Sequence, residues 1–188
     1  SVLNTSNVTN MESMFNQMNK LESVNLEGFD TTKVTDMNHM FSNCKELASL
    51  DLSGFNTSNV TNMSSMFDRC EKVPSLDLSH FDTSKVTDMS YMFKFCRGPK
   101  SIDVSSFNTQ NVTDMTDMFY YSGGLKPLSV KNFNTSKVTS MAGMFAGSTS
   151  ETNFDVRNFD TSQVTNIGAM FMECNFSSIH LSSCDTSN

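Results

Sequence analysis

The sequence predicts a repeat solenoid of about seven units, with a parallel β-sheet on one face and short helices or turns on the other. Three patterns recur every 26 residues. Valine precedes threonine at Val8, Val34, Val60, Val86, Val112, Val138 and Val164. Methionine precedes phenylalanine with the same spacing, and a third column holds Leu3 followed by phenylalanine at 29, 55, 81, 107, 133 and 159. A unit this short cannot bury an apolar face alone, so neighbouring units must stack.

One strand per unit is predicted where apolar and polar residues alternate. In the unit chosen as reference, Leu50, Asp51 and Leu52 follow this pattern, which is typical of a half-buried strand. Equivalent strands would pair in parallel at about 4.8 Å per unit. Phe55 follows, and then Asn, Thr and Ser at 56–58, which favour a turn through bonds between side chain and backbone.

A short helix is predicted for the second face of the unit. Apolar residues recur there every three or four positions, at Val60, Met63, Met66, Phe67 and Cys70. We expect Val60 and Thr61 to be extended, with Thr61 as the N-cap of a helix over roughly 62–69. A short strand on this face is the competing interpretation.

The array fills the chain, so we expect residues 1–188 to form a single solenoid domain. No polar capping unit is evident at either end, although solenoids normally need one, and we therefore expect a fragment of a longer array. The last unit lacks one residue between Phe171 and Ile179. Glu151 and Ser177 also replace apolar residues of other units, so we expect the last two units to pack less well.

The composition argues against several classes of partner. A formal net charge of −7 does not suit nucleic-acid binding, which requires a basic surface. It also does not suit electrostatic attachment to anionic membranes. No apolar run approaches the roughly 20 residues that span a bilayer. We expect no nucleic-acid partner and no direct membrane insertion.

The consensus of the unit carries a family resemblance. The reference unit contains LASLDLSGF at 47–55 and NTSNVTNMSSMFDRC at 56–70. This pattern resembles the repeat of BspA-like leucine-rich-repeat surface proteins and covers essentially the whole chain. The resemblance implies a right-handed leucine-rich-repeat-like solenoid, export to the cell surface, and a role in adhesion or host-protein binding. It implies no catalytic residues and no cofactor.

Columns of sulfur-containing residues are interpreted as core. Thioethers bind soft metals, but Ile167 replaces one methionine, which fits packing rather than ligation. One further column contains four of the five cysteines, Cys44, Cys70, Cys96 and Cys174. We expect buried free thiols, although neighbouring units would be close enough for disulfides. No CxxC pair is present for zinc, and no metal site is predicted.

Two threonine rows are interpreted as turn ladders and helix caps. One row runs from Thr5 to Thr186 and the other from Thr9 to Thr165. A flat threonine grid also suggests ice binding. However, the position between the rows includes lysines, at Lys33, Lys85 and Lys137, and these would interrupt an ordered water lattice.

Two sets of residues are candidate binding sites. The polar position of the strand forms an acidic column that includes Asp51, Asp77 and Asp103. Stacked like charges repel, so the column suggests contact with a basic partner, unless the carboxylates are simply solvated or bonded to neighbouring serines. The second set departs from the repeat: Phe95, Tyr120, Tyr121 and Tyr91. Exposed aromatic residues anchor protein contacts, although these rings could instead cover the loops at 97–100 and 122–127.

Together with the aromatic departure from the repeat, the family resemblance implies an extracellular or cell-surface module of the adhesion type, which binds a protein or glycan of a host surface or matrix. We expect it not to be an enzyme, because His39, His80 and His180 occupy different columns and no catalytic motif is present. The alternative is a purely structural stalk or spacer, which near-identical units favour. Ice binding through the threonine rows is a third hypothesis.

Overall fold

The computed structural model of the protein describes residues 3–122, 128–148 and 154–181. Within them, isolated parallel bridges join positions 26 residues apart in neighbouring units. One unbroken series links Asn10, Asp36, Asn62, Asp88, Asp114, Ser140 and Asn166. The repetition in sequence is therefore also a repetition in space, with each unit lying against the next.

Regular secondary structure is scarce in the described residues. One sheet has two parallel strands, β1 (Phe154–Asp155) and β2 (Ile179–His180), in which Phe154 pairs with Ile179. That offset is 25 residues, because the last unit is one residue short. Single bridges mark the same side of earlier units, at Ser23–Ser49 and Leu76–Ile102. The predicted parallel sheet is confirmed only as this small sheet and these bridges.

The alternation at 50–52 predicts burial correctly but not a strand. Leu52 is buried and Asp51 is exposed. The Asp51 carboxylate accepts the backbone N–H of Ser53 at 2.9 Å, which closes a turn just where a strand would continue. A turn stabilised in this way explains why the strand does not extend.

The predicted helix over 62–69 is wrong, because the structure has consecutive turns there. Ser65 and Arg69 both have φ of 55°, in the left-handed region that a right-handed helix excludes. The backbone N–H of Met66 donates to Met63 at 3.3 Å and that of Cys70 donates to Phe67 at 3.2 Å, which closes two successive turns. Residues 63–70 and their equivalents in other units are called the turn segment below.

The predicted N-cap at Thr61 is also wrong, since no helix follows it. Both its backbone N–H, at 2.8 Å, and its hydroxyl, at 3.1 Å, donate to the carbonyl of Thr35 in the preceding unit. This second threonine row is exposed and repeats the same pair of bonds from unit to unit. It is a ladder between units, as predicted, but not a helix cap.

The turn segment also pairs with the next unit. Alternate residues donate their backbone N–H groups across the interface: Ser65 to Ser90 at 2.8 Å and Phe67 to Met92 at 2.9 Å. Alternate bonding to a neighbour is what a parallel strand does. The segment thus pairs with the next unit in a strand-like way but consists of turns, so the competing interpretation as a strand is not confirmed either.

The core is a set of columns that run through the stacked units. The phenylalanines of the turn segment stack face to face, with neighbouring ring centroids 5.4–6.1 Å apart: Phe15, Phe41, Phe67, Phe93, Phe119, Phe145 and Phe171. Methionines surround them, and those at 37, 40, 63, 66, 89, 92, 115, 118, 141 and 144 are fully buried. The interpretation of these columns as core is confirmed.

The cysteine column belongs to the same core. Cys44, Cys70 and Cys96 are buried free thiols, and Cys174 is a half-buried free thiol. Burial raises the pKa of the Cys96 thiol, which keeps it protonated and unreactive. The prediction of free thiols is confirmed for these four; Cys184 and Glu151 lie outside the described residues.

The first threonine row is buried rather than presented to solvent. Thr83 donates its hydroxyl to the carbonyl of Asn108 at 3.0 Å, and the same oxygen accepts the N–H of Asn108 at 2.7 Å. The row is buried at 5, 31, 57, 83, 109, 135 and 161, whereas Thr186 lies outside the described residues. Any ice-binding surface would have to rest on the second row alone.

Candidate functional site

Two positions of each turn segment have a left-handed backbone, and the residues at both vary widely between units. One column contains Ser13, His39, Ser65, Tyr91, Asp117, Gly143 and Ala169. The other contains Gln17, Asn43, Arg69, Phe95, Tyr121, Gly147 and Glu173. Together with the column of Asp68, they are called the outer columns. Most of their side chains are half-buried or exposed, in contrast to the core columns, which are buried in all but the first and last units.

Three of the predicted binding residues come together on the outer columns. The ring of Phe95 lies 5.4 Å from that of Tyr120, edge to face, and 5.9 Å from that of Tyr121. The rings of Tyr120 and Tyr121 lie 4.8 Å apart. These three residues and Tyr91 are called the aromatic patch.

The side chain of Lys94 lies between Tyr91 and the other rings of the patch and contacts both. The ammonium group of Lys94 lies 4.8 Å from the centroid of Tyr91 and 4.7 Å from that of Tyr120. It is also paired with Asp117 at 2.7 Å, a pair that is largely shielded from solvent. Tyr91 is 36% exposed. Among the described residues, the other exposed large apolar side chains lie in the first and last units, at Leu3, Met14, Met18, Ile167, Met172 and Leu181.

Guanidinium groups flank the patch, and sequence analysis did not identify them. The guanidinium carbon of Arg69 lies 4.3 Å from the centroid of Phe95, and that of Arg97 lies 5.3 Å from it. Arg69 precedes Phe95 by one unit in the same column, so the proximity of the two residues followed from the spacing, but the contact between guanidinium group and ring did not. Arg97 lies in the loop at 97–100, where spacing gave no signal.

Glycines in the following unit make room for the patch. A Cβ atom added to Gly147 would lie 2.6 Å from the ring of Tyr121, so the ring occupies the space of the missing side chain. The Tyr121 hydroxyl donates to the carboxylate of Glu173, two units further along. Arg69, Phe95, Tyr121 and Glu173 therefore form one continuous series along an outer column.

The half-buried carboxyl group of Asp68 lies in the outer columns beside this series. Asp68 has an oxygen that is buried and has no hydrogen-bond partner among the described residues. Burial raises the pKa of this carboxyl group, opposed by the nearby charges of Arg69, Lys94 and His39. Its column holds an uncharged residue in most other units, so the sequence marked Asp68 only as a local exception.

The acidic column is engaged in turns within its own units. Asp77 accepts the hydroxyl of Ser79 at 2.7 Å and its backbone N–H at 3.1 Å, and these bonds lower the pKa of the carboxyl group. Bonds from Ser105 lower the pKa of Asp103 in the same way. No contact among the described residues joins this column to the aromatic patch. Asp51, Asp77 and Asp103 stay predictions as a binding surface.

The alternative prediction was that the aromatic rings cover the loops at 97–100 and 122–127, and the structure describes only part of the second loop. Phe95 contacts Arg97 of the loop at 97–100, in which Pro99 is buried. In the other loop, residues 123–127 lie outside those described. The patch therefore covers one of its neighbouring loops in part, while Tyr91 stays open to solvent.

Comparisons with known proteins identify a family without a function. A family model described as "Mycoplasma protein of unknown function, DUF285" matches residues 1–101 and again residues 98–188. No curated protein and no solved structure matches the chain. The described residues include no helix that could cross a membrane, and no group of three or more His, Cys, Asp or Glu side chains placed to hold a metal ion.

Proposed function

The chain belongs to the DUF285 family, whose description assigns no activity, and we propose that it is a non-catalytic recognition module that binds a partner through the aromatic patch. In this proposal the stacked units form a leucine-rich-repeat-like solenoid of the BspA type, which is displayed on a cell surface. The partner is a protein or glycan of a host surface or matrix. The departure of the patch from an otherwise regular array carries the proposal.

The composition of the patch supports a role in binding. Tyrosine and arginine are enriched among the residues that dominate binding energy at protein interfaces. Here Tyr120 and Tyr121 lie beside Phe95, and Arg69 stacks on the Phe95 ring. An exposed Tyr91 extends the patch toward solvent. These are the properties of an interface anchor.

The backbone supports the same conclusion. Tyr91, Phe95 and Tyr121 have φ of 59°, 50° and 48°, where a side chain costs about 1–2 kcal/mol relative to glycine. The next unit has glycine at both equivalent positions, Gly143 and Gly147. Backbone stability alone would favour glycine at these positions, so bulky aromatic residues there support a role in binding.

A structural stalk is the second candidate, and the core columns favour it. The Phe ladder extends through seven units with nearly constant spacing, which suits an array whose role is length. In that case the aromatic patch would only cover local structure. A spacer needs no partner, so binding experiments discriminate between the two.

The test is binding of the immobilised protein to a panel of extracellular-matrix proteins and to a glycan array. We expect micromolar binding to at least one ligand, and loss of that binding in the double variant Phe95→Ser/Tyr121→Ser. The matched control is Gln17→Ser/Asn43→Ser, which changes the same outer column in other units and should bind normally.

Two outcomes would contradict the proposal. Absence of any micromolar ligand would favour the stalk. Binding that is unchanged in Phe95→Ser/Tyr121→Ser would show recognition elsewhere, and the acidic column of Asp51, Asp77 and Asp103 would then be the next surface to mutate.

A further inference from the structure

We propose that the aromatic patch recognises an acidic segment of a partner protein, with Arg69 and Arg97 binding its carboxylates. This inference rests on the proposed recognition function and specifies the chemistry of the partner. It depends on three features of the patch: guanidinium groups that lie on a ring, the lack of a paired carboxylate for them among the described residues, and the angles between the rings.

Stacking holds Arg69 in place before any ligand arrives. Its guanidinium group lies on Phe95, and the Phe95 ring in turn stacks on Tyr121 at 5.9 Å with an interplanar angle of 30°. The hydroxyl of Tyr121 is bonded to Glu173, which fixes the far end of the series. A guanidinium group stacked on a ring keeps N–H donors at its edge for a carboxylate, so little side-chain entropy is lost on binding.

The two guanidinium groups have no carboxylate partner of their own in the part of the chain that the structure describes. The ion pairs there join Lys72 to Glu46, Lys94 to Asp117 and Arg157 to Asp155. Lys94 is therefore neutralised within the patch, whereas neither Arg69 nor Arg97 lies within 4.0 Å of a described carboxylate. Arg69 acts on the nearby Asp68 carboxyl group without pairing with it, so both guanidinium groups keep N–H donors for a partner, and a carboxylate is the complementary group.

The ring geometry favours a peptide over a sugar. A sugar ring stacks on a flat and open aromatic face. The Phe95 ring instead has contacts with Arg69 and with Tyr121, and the Tyr120 ring is inclined at 84° to Phe95 and at 55° to Tyr121. Such inclined rings form notches that suit branched or aromatic side chains. A protein segment offers those side chains together with carboxylates.

The test uses arrays of random nonapeptides made from Glu, Tyr, Leu and Gly, and two matched arrays in which Gln or Lys replaces every Glu. We expect the protein to be retained on the Glu array, about tenfold more weakly on the Gln array, and not on the Lys array. Retention on the Glu array should weaken as salt concentration rises.

The double variant Arg69→Gln/Arg97→Gln should lose about tenfold in affinity for the Glu array. The variant is expected to fold, because Gln17 occupies the column of Arg69 in the first unit, and its urea unfolding curve would verify this. The control Lys85→Gln/Lys137→Gln removes two charges from a different column, where Gln163 occurs naturally, and should bind like the unmodified protein.

Several results would overturn the inference, and they separate it from the proposed function. Equal retention on the Glu and Gln arrays, or unchanged binding of Arg69→Gln/Arg97→Gln, would exclude carboxylate recognition. If Phe95→Ser/Tyr121→Ser still abolished binding in that case, the recognition function would stand without this partner chemistry. Stronger binding to a sulfated polysaccharide than to any peptide would show that the partner is a glycan rather than a protein.

Discussion

The core columns and the outer columns come from the same turn segment, yet residue identity is nearly constant in the first and changes from unit to unit in the second. Phe93 is fully buried between Phe67 and Phe119, and its column holds phenylalanine in all seven units. Phe95, two residues later, is half-buried, and its column holds a different residue in every unit. Only the backbone conformation is common to that column. The inner side chains thus specify the fold, while the outer positions are free to carry a site.

The largest expected loss of stability comes from a substitution in the core columns. Phe93→Ala removes a fully buried ring from the ladder and leaves a cavity, so the free energy of unfolding should fall by about 3–5 kcal/mol. Urea denaturation monitored by circular dichroism measures the change. A loss below about 1 kcal/mol would show that the ladder does not support the stack.

The buried threonine row should be the next most sensitive. Thr83→Val keeps the shape but leaves the backbone N–H and carbonyl of Asn108 without the Thr83 hydroxyl, which should cost about 1–3 kcal/mol. Thr87→Val is the matched control in the exposed row, because its backbone N–H keeps the bond to Thr61 at 2.8 Å. Equal losses in the same urea assay would contradict the distinction between the rows.

Glycine substitutions test the backbone of the outer columns. Ala169 has φ of 57°, so Ala169→Gly should raise the free energy of unfolding, by about 1 kcal/mol at most. Ala142 lies outside the positive-φ columns, and Ala142→Gly should lower it by about 0.5–1 kcal/mol. A helix would be destabilised by both changes, so opposite signs in thermal or urea unfolding are the result to look for.

The smallest expected effect is on the pH dependence of stability. Bonds from Ser79 lower the pKa of Asp77 in the folded protein, so its contribution to stability is present above the unfolded pKa of about 3.9 and is lost as pH falls through the folded pKa. In Asp77→Asn, the free energy of unfolding should therefore fall slightly less steeply as the pH is lowered. Asn25 makes the same turn with Glu27, which makes asparagine a suitable replacement. An unchanged curve would mean that the serine bonds do not persist in solution.

The sequence was a good guide to which residues are buried and a poor guide to the backbone. Spacing identified the columns of Phe67 and Met63, since burial follows side-chain chemistry. It misidentified the turn segment as a helix, because two successive four-residue turns place Met63, Met66 and Cys70 inside with the same spacing that a helix would. Only the positive φ of Ser65 and Arg69 distinguishes the two, and neither residue type indicates it.

The candidate site was predictable in part for the same reason. Phe95 and Tyr121 share a column, so their stacking followed from the 26-residue period. The proximity of Arg69 to Phe95 followed from that period too, but the placement of its guanidinium group over the Phe95 ring required the structure. Contacts that cross columns, such as Arg97 with Phe95 or Lys94 with Tyr91, have no signature in a repeat alignment of one chain.

The central claim is that the core columns carry the fold while the patch is dispensable for it. Urea unfolding of Phe95→Ser/Tyr121→Ser beside Phe93→Ala tests this most directly. We expect the double variant to lose about 2 kcal/mol or less, well below the loss from the single core substitution, because its rings are only half-buried. A loss equal to or greater than that of Phe93→Ala would make the patch part of the core and contradict the division of roles.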